Sequence, residues 1–291
     1  MLRLQTLAAR QGFNEPPRAP VFLVGCPRSG TSMLFDLLRR HEALQGLTGE
    51  GHILWSNYQH PRRKGWASDR ATAEDIAAGE RGYLYTAIRH ISQGLRFIDK
   101  TPKNVLRLPY LAALFPDATF VFIKRDGPDT VSSLIEGWQA RRGISYRLPT
   151  ALDLAEYRGR LWSYILPPGW RERARSSFAE VAALQYVRSN ETALVDRQYL
   201  PAGSWVEVAF ERLVAEPVLE VSRLLERFDL PPSERVLDRA RHLNEHPVGA
   251  VSPPRPEKWR DRAHEIGRII PQLKATTVRL GYEGHTSLDL G

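Results

Sequence analysis

The chain has 291 residues, with 41 Lys+Arg against 33 Asp+Glu (formal net charge +8), 42% hydrophobic and 25% charged residues. That balance suits a folded protein with a sizeable core and excludes global disorder, collagen-like repetition and a coiled coil. A lone cysteine, Cys26, excludes a disulfide framework, and no apolar run approaches the ~18 residues of a membrane span.

Residues 1–19 read as an N-terminal extension. Arg3, Arg10, Glu15 and Arg18 punctuate it and no apolar h-region appears, so it is not expected to be a signal peptide, and the expected location is the cytoplasm. Of the 41 cations, 35 are Arg and 6 are Lys, a bias that suits recognition of phosphate and similar oxyanions. The arginines are scattered rather than massed in a stripe, and no zinc-finger, RNP or basic-zipper pattern accompanies them. Nucleic acid is therefore not an expected partner.

The first regular element is the apolar run Val21-Phe22-Leu23-Val24, which reads as a buried strand. It stops at Gly25-Cys26-Pro27-Arg28-Ser29-Gly30, and from Thr31 onward Met33, Leu34, Leu37 and Leu38 recur at helical spacing. The strand–loop–helix pattern repeats at Phe97-Ile98, then Asp99-Lys100-Thr101-Pro102, then a helix carrying Val105, Leu108, Leu111 and Phe115. It returns at Thr119 to Ile123, followed by Lys124-Arg125-Asp126-Gly127-Pro128 and a helix with Val131, Leu134, Ile135 and Trp138. A fourth strand, Trp205 to Phe210, precedes a helix through Val218, Val221, Leu224 and Phe228. Short apolar strands alternating with amphipathic helices predict an α/β fold with a central parallel sheet flanked by helices. Every strand would then deliver its C-terminal end to one edge, where ligands of such sheets bind. Between Leu152 and Tyr199 the pattern is read as mostly helical, broken at Leu166-Pro167-Pro168-Gly169. The expectation is a single domain over 20–291 with a helical insertion at about 150–200.

Gly25 to Ser32 has the spacing of a phosphate-binding loop, G-x-x-x-x-G followed by two residues, the second a hydroxyl. Its position between a strand and a helix gives that spacing meaning, because backbone N–H groups at a helix start face an anion. A nucleoside triphosphatase places Lys after the second Gly and ends a later strand in Asp to hold Mg²⁺. Here Thr31 replaces the lysine, a cation stands earlier at Arg28, and the later strand ends in Lys124-Arg125. Two cations at that edge repel a metal and attract an anion, so a second phosphate and no obligatory metal are expected. Ser133 lies eight residues beyond Arg125, on the helix that follows.

At this point the residues resemble a family. Pro27-Arg28-Ser29-Gly30-Thr31-Ser32 is similar to the 5′-phosphosulfate loop of sulfotransferases that use 3′-phosphoadenosine 5′-phosphosulfate (PAPS). Arg125 through Ser133 resembles their 3′-phosphate motif. Asp99-Lys100-Thr101-Pro102-Lys103-Asn104 resembles the Lys-Thr/Ser-Pro segment of the carbohydrate branch, and Phe210 to Pro217 the Tyr-Glu-x-Leu segment, with Phe in place of Tyr. Glu257 to Arg260 and Leu280-Gly281-Tyr282 are like the C-terminal segments, so the resemblance runs in order from about Pro20 to Tyr282.

The resemblance implies a P-loop-like fold and sulfuryl transfer from PAPS to a hydroxyl or amine of a small-molecule, carbohydrate or peptide acceptor, with no obligatory metal. Arg28, Thr31 and Ser32 would hold the 5′-phosphate and sulfonate, with Pro27, Ser29 and Gly30 shaping the loop. Arg125 and Ser133 would hold the 3′-phosphate, and Lys100 would stabilise charge on the sulfonate or leaving group. Glu50, in Thr48-Gly49-Glu50-Gly51-His52, matches the Glu that removes the acceptor proton in the tyrosyl-protein and several bacterial branches. Partial desolvation is expected to raise its pKa. His52 is the second candidate base, since an imidazole titrates near neutrality without tuning. The Arg-Lys-Gly tail of cytosolic relatives is missing, which leaves Arg255, Lys258 and Arg260 as replacements.

Other residues stay open between site and core. His52 to Tyr58, Trp66, Trp162, Tyr164 and Trp170 read equally as an acceptor pocket and as packing. Cys26 reads as a small buried residue rather than a redox switch. Ser252 to Pro256 reads as a loop over the cleft edge. The competing functions are a nucleotide kinase or triphosphatase, and a silent nucleotide-binding module that would need neither Glu50 nor Lys100. The sequence sets no oligomeric state.

Overall fold

A computed structural model describes residues 15–245, 248, 255 and 257–282. The first fourteen residues of the extension, and Ser252 to Pro256 apart from Arg255, lie outside the described residues. Five parallel strands form the central sheet: β1 (Val21–Gly25), β2 (Leu44–Gln45), β3 (Arg96–Lys100), β4 (Thr119–Lys124) and, after a separate hairpin, β7 (Trp205–Ala209). Their order is β2-β3-β1-β4-β7, with β1 pairing to β3 through Phe22↔Asp99 and to β4 through Gly25↔Ile123. All pairings within this sheet are parallel, so Gly25, Lys100, Lys124 and Ala209 end on one edge.

The apolar character of β1 and β4 follows from burial on both faces. Alternate side chains serve different cores. Phe22, Val24, Phe120 and Phe122 join one cluster, while Val21, Leu23, Val121 and Ile123 join the other. The second cluster is closed by α1 (Thr31–Leu38), through Leu34, Leu37 and Leu38. On the first face, the Phe22 ring lies 6.0 Å from Trp55, 5.3 Å from Phe115 and 5.6 Å from Phe120. Trp55 belongs to α2 (His52–Gln59), and α3 (Glu80–Ser92) adds Leu84, Ala87 and Ile88. After β3 a 3₁₀ turn (Pro102–Leu106) leads into α4 (Leu108–Leu114), and after β4 comes α5 (Gly127–Gln139).

The expected helical insertion begins instead as a hairpin. Strands β5 (Ile144–Leu154) and β6 (Tyr157–Ser163) pair antiparallel in a sheet of their own, and helix resumes only at the 3₁₀ turn Trp170–Arg173 and α6 (Phe178–Asp196). The physical reason is a period of two: Tyr146 and Leu148, then Leu152 and Leu154, are buried while Arg147 and Asp153 between them are exposed. Trp162 ends the hairpin in the core, 5.2 Å from Trp138 of α5 and 5.5 Å from Trp170. Beyond β7 run α7 (Phe210–Ala215), α8 (Pro217–Arg227), α9 (Glu234–Arg241), α10 (Ala263–Gly267) and α11 (Ile270–Arg279). Among the described residues no helix is long and apolar enough to cross a membrane.

Because Trp162 bridges the hairpin and the sheet-side helices, Trp162→Ala is predicted to cost about 3–5 kcal/mol and to lower one shared unfolding midpoint. Urea denaturation followed by far-UV circular dichroism and by tryptophan fluorescence checks this. Separate transitions in the two signals would mark the hairpin as an independent unit.

Candidate active site

The loop between β1 and α1 turns sharply. Arg28 has φ +74° and Gly30 has φ +102°, and no side chain caps the start of α1. Gly30 is required there twice over: its φ lies in the left-handed region, and a Cβ would sit 2.4 Å from the Phe210 ring. Ser29 is buried behind the loop, its Oγ without a hydrogen-bond partner.

Two contacts join this loop to the exit of β4. Arg28 Nε donates to Ser133 Oγ at 3.1 Å, and Arg125 Nη1 donates to the Arg28 carbonyl at 3.1 Å. Arg125 is buried, with its guanidinium 4.3 Å from the Phe210 ring centroid. Burial pushes it below the usual arginine range, and Asp129, Glu211 and Asp126 pull the other way. Phe210 therefore supplies a stacking face for the guanidinium. Lys124, expected to share the cleft, turns away and pairs with Glu207 at 3.0 Å. Successive strand residues face opposite sides of the sheet, so only one of the two adjacent cations can serve the site.

A C-terminal strap completes this side. The Asp129 carboxylate in the first turn of α5 accepts the N–H groups of Glu257 at 3.2 Å and Trp259 at 3.0 Å. These bonds flank Lys258, whose Nζ reaches Glu136 at 2.9 Å and which lines the cleft. The other two candidates do not line it: Arg255 pairs with Asp261 and Arg260 with Glu257, all of them exposed. Glu211 accepts the Asp126 N–H at 3.1 Å and the Tyr282 hydroxyl, tying the Leu-Gly-Tyr segment to the end of β7.

Glu50 stands opposite. Its Oε1 accepts from Lys100 Nζ at 2.9 Å, and His52 Nε2 holds its Oε2. The carboxylate pKa was expected to rise with desolvation. Burial does act in that direction, but the His52 hydrogen bond and the Lys100 charge outweigh it and hold the pKa down at about 2. Of the glycines flanking Glu50, Gly51 is the constrained one, since a Cβ there would sit 2.1 Å from Asp99 Oδ1, whereas Gly49 meets nothing. Asp99 is not the partner of Lys100. It accepts from Thr101 Oγ1 at 3.1 Å and Asn104 Nδ2 at 2.9 Å, with burial pushing its pKa up to about 6.

Two cavities meet here. Arg28, Ser32, Glu50, Pro102 and Tyr164 line both. One continues along Pro27, Gly30, Thr31, Arg125, Ser133 and Lys258, and the other over His52, Lys103, Arg142, Gly143 and Ser145. The structure thus gathers the expected residues except Ser29 and Lys100, which lie beneath the surface; Lys100 reaches the site through Glu50. Of the aromatics left open, Trp55, Trp162 and Trp170 are core, while Tyr164 lines both cavities and His52 the second. Cys26 is buried, and desolvation pushes its thiol up to about 12, which makes it inert. Of the three C-terminal candidates Lys258 is the one that lines the cleft, and Lys103 and Phe210 are additions to the expected site; Lys103 is legible only as the second lysine of Lys-Thr-Pro-Lys.

The family model described as "Sulfotransferase family" matches residues 20–167, just over half of the chain. The chain belongs to the sulfotransferase family. A putative protein-tyrosine sulfotransferase of Caenorhabditis briggsae is 24% identical over 221 residues, covering 75% of this chain and 68% of the relative. Protein-tyrosine sulfotransferase A of Caenorhabditis elegans is 23% identical over 245 residues, with 81% and 56% covered. An uncharacterised protein of Aquifex aeolicus is 23% identical over 241 residues, with 78% and 28% covered. This sulfotransferase chain therefore spans between 28% and 68% of the length of these relatives. Among solved structures, sulfotransferase STF9 from Mycobacterium avium superposes with a TM-score of 0.59 at 15% identity, covering 96% of this chain and 80% of that one. Mouse sulfotransferase SULT7A1, solved in complex with PAP, gives 0.51 at 12% identity, with 98% and 93% covered. At such identities these likenesses establish the fold.

Proposed function

We propose that this sulfotransferase chain moves the sulfuryl group of PAPS to a hydroxyl or amine of a small-molecule, carbohydrate or peptide acceptor. One observation carries the reading: Arg28, Ser133 and Arg125, interlocked, and Glu50, backed by the buried Lys100, line a single cleft. The donor is a substrate with two anionic ends, and the residues suit it. The uncapped start of α1 with Arg28, Thr31 and Ser32 fits the 5′-phosphosulfate, while Arg125, Ser133 and Lys258 fit the 3′-phosphate. Thr31 in place of a lysine and the buried Arg125 where a Mg²⁺-binding Asp would stand disfavour a triphosphatase.

In the transfer, the bond from sulfur to the 5′-phosphate oxygen breaks as the bond from sulfur to the acceptor oxygen or nitrogen forms. The acceptor proton passes to Glu50, and the products are PAP and the sulfate ester or, from an amine, the sulfamate. Charge grows on the departing phosphate oxygen, so catalysis is positioning plus electrostatic stabilisation. An ammonium has three N–H donors, and Lys100 spends one on Glu50. As negative charge builds on the leaving group, sharing Lys100 with it loosens the hold on Glu50 and raises the basicity of the carboxylate. His52, already on Glu50, orients the base rather than replacing it. A single buried cysteine, which makes no demand for an oxidising compartment, supports a cytoplasmic location.

PAP without metal is predicted to raise the melting temperature more than ATP with Mg²⁺ does, and the reverse order would favour the kinase reading. In the same assay Arg125→Ala should weaken PAP about 10- to 100-fold, matching ~1.5–3 kcal/mol for a charge-assisted hydrogen bond. Glu50→Gln should bind PAP normally and lose about 10²- to 10⁴-fold in turnover. Turnover left intact in Glu50→Gln would assign the proton to another group.

The depressed carboxylate pKa sets a pH prediction. Glu50 is ionised down to about pH 2 in the free protein, against an ordinary value of 4.5. Removing the cation in Lys100→Met raises that pKa, so the acidic limb of log kcat/KM moves to higher pH. A limb that stays in place would mean that Lys100 does not govern the base.

A further inference from the structure

The second cavity, beyond Glu50, contains an ammonium with no anion. Lys103 lies on the Pro102–Leu106 turn, is 4% exposed, and lines the cavity. Its Nζ rests 3.9 Å from the centroid of the Tyr146 ring, and among the described residues it makes no hydrogen bond and no ion pair. Its nearest carboxylates are engaged elsewhere. Asp69 accepts from Arg107 at 3.2 Å, from the Leu166 N–H at 2.7 Å and from the Tyr146 hydroxyl. Glu50 is held by Lys100 and His52. A buried charge is costly unless it is paired, so a lysine kept in this state marks a place where a ligand supplies the missing anion.

The rest of the lining agrees. Arg28, Lys103 and Arg142 contribute positive charge, and Glu50, itself paired, is the carboxylate among the lining residues. Ser145 and His52 add polar edges, and Glu50 stands where this cavity meets the first.

We propose that this cavity is an acceptor subsite for an anionic group: the acceptor is a hydroxyl compound bearing a carboxylate or phosphate that pairs with Lys103, while its hydroxyl faces Glu50. The inference rests on the sulfuryl-transfer reading and narrows it to acidic acceptors. Tyr146 holds the ammonium from behind, and Arg142 at the exposed rim meets the anion on entry.

Lys103 also gives the subsite a pH signature. The charged and titratable groups around it are Asp69, Arg107, His60, Tyr146 and Glu50. Burial pushes its ammonium down to about 8, with Asp69 and Glu50 opposing and Arg107 assisting. Below that value the group is charged and attracts an anion; above it the attraction is lost.

The test uses the full chain, labelled PAPS, and a panel of aromatic and aliphatic hydroxy acids, each paired with its neutral amide. Hydroxyalkyl phosphates form a separate arm that distinguishes phosphate from carboxylate. At pH 7 the anionic member of a pair should exceed its amide at least tenfold in kcat/KM. That ratio should fall toward one above pH 8 and in Lys103→Met, which keeps the stem length, and it should be largely restored in Lys103→Arg. PAP binding, measured by thermal shift, checks that each variant is folded. A ratio near one in the parent chain, a ratio that survives Lys103→Met, or no turnover of any panel member by protein that binds PAP overturns the subsite. Failure to bind PAP overturns the sulfuryl-transfer reading, and this inference with it.

Discussion

The site depends on two short contacts that cross from one strand end to its neighbour: Arg28 Nε on Ser133 Oγ, and Arg125 Nη1 on the Arg28 carbonyl. Both place a guanidinium on a neutral oxygen. A phosphate adds full opposite charge and bidentate geometry that a hydroxyl or carbonyl oxygen lacks, so a phosphorylated ligand can displace such contacts. The parallel sheet makes the arrangement possible. With β1 between β3 and β4 and both faces buried, the loop after β1 lies between Lys100 and Arg125 without any long excursion of the chain. Phe210, which opens α7, packs against both the Arg125 guanidinium and the glycine turn.

The opposite wall works by competition for a lysine. In the free protein Lys100 and His52 neutralise Glu50 so well that it is a poor proton acceptor. On the proposed reading, Glu50 becomes a base when negative charge on the leaving group claims Lys100, which would limit proton abstraction in the absence of donor. A Cβ at Gly51 would meet Asp99 Oδ1 at 2.1 Å, so the turn after Glu50 lies close against the end of β3.

Much of this was legible in the sequence because the sheet strands are short, apolar and followed by punctuated turns. The loop from Gly25 to Ser32 emerges from its spacing between a strand and a helix, and the pairing of Arg125 with Ser133 from the family resemblance. The hairpin escaped because Tyr146, Leu148, Leu152 and Leu154 alternate within a stretch whose later half is helical, and the two periods blur together. Adjacent cations at 124 and 125 look equivalent as letters, and only the pleat separates Arg125 in the cleft from Lys124 on Glu207. The direction of the Glu50 shift was missed for a related reason: desolvation is visible from flanking glycines, whereas the partners Lys100 and His52 are assembled by the fold. Lys103 is invisible as a ligand-facing charge until Asp69 is seen to be occupied by Arg107 and Tyr146.

On the proposed reading, neighbouring strand ends hold the two phosphate ends of one nucleotide. The most direct measurement is an experimental structure of the chain with PAP bound. The expected structure has the 5′-phosphate on the loop from Pro27 to Ser32 and the 3′-phosphate within hydrogen-bond distance of Arg125 and Ser133, with the Arg28–Ser133 contact exchanged for the ligand. A nucleotide seated elsewhere, or one whose 3′-phosphate points away from Arg125, would contradict it.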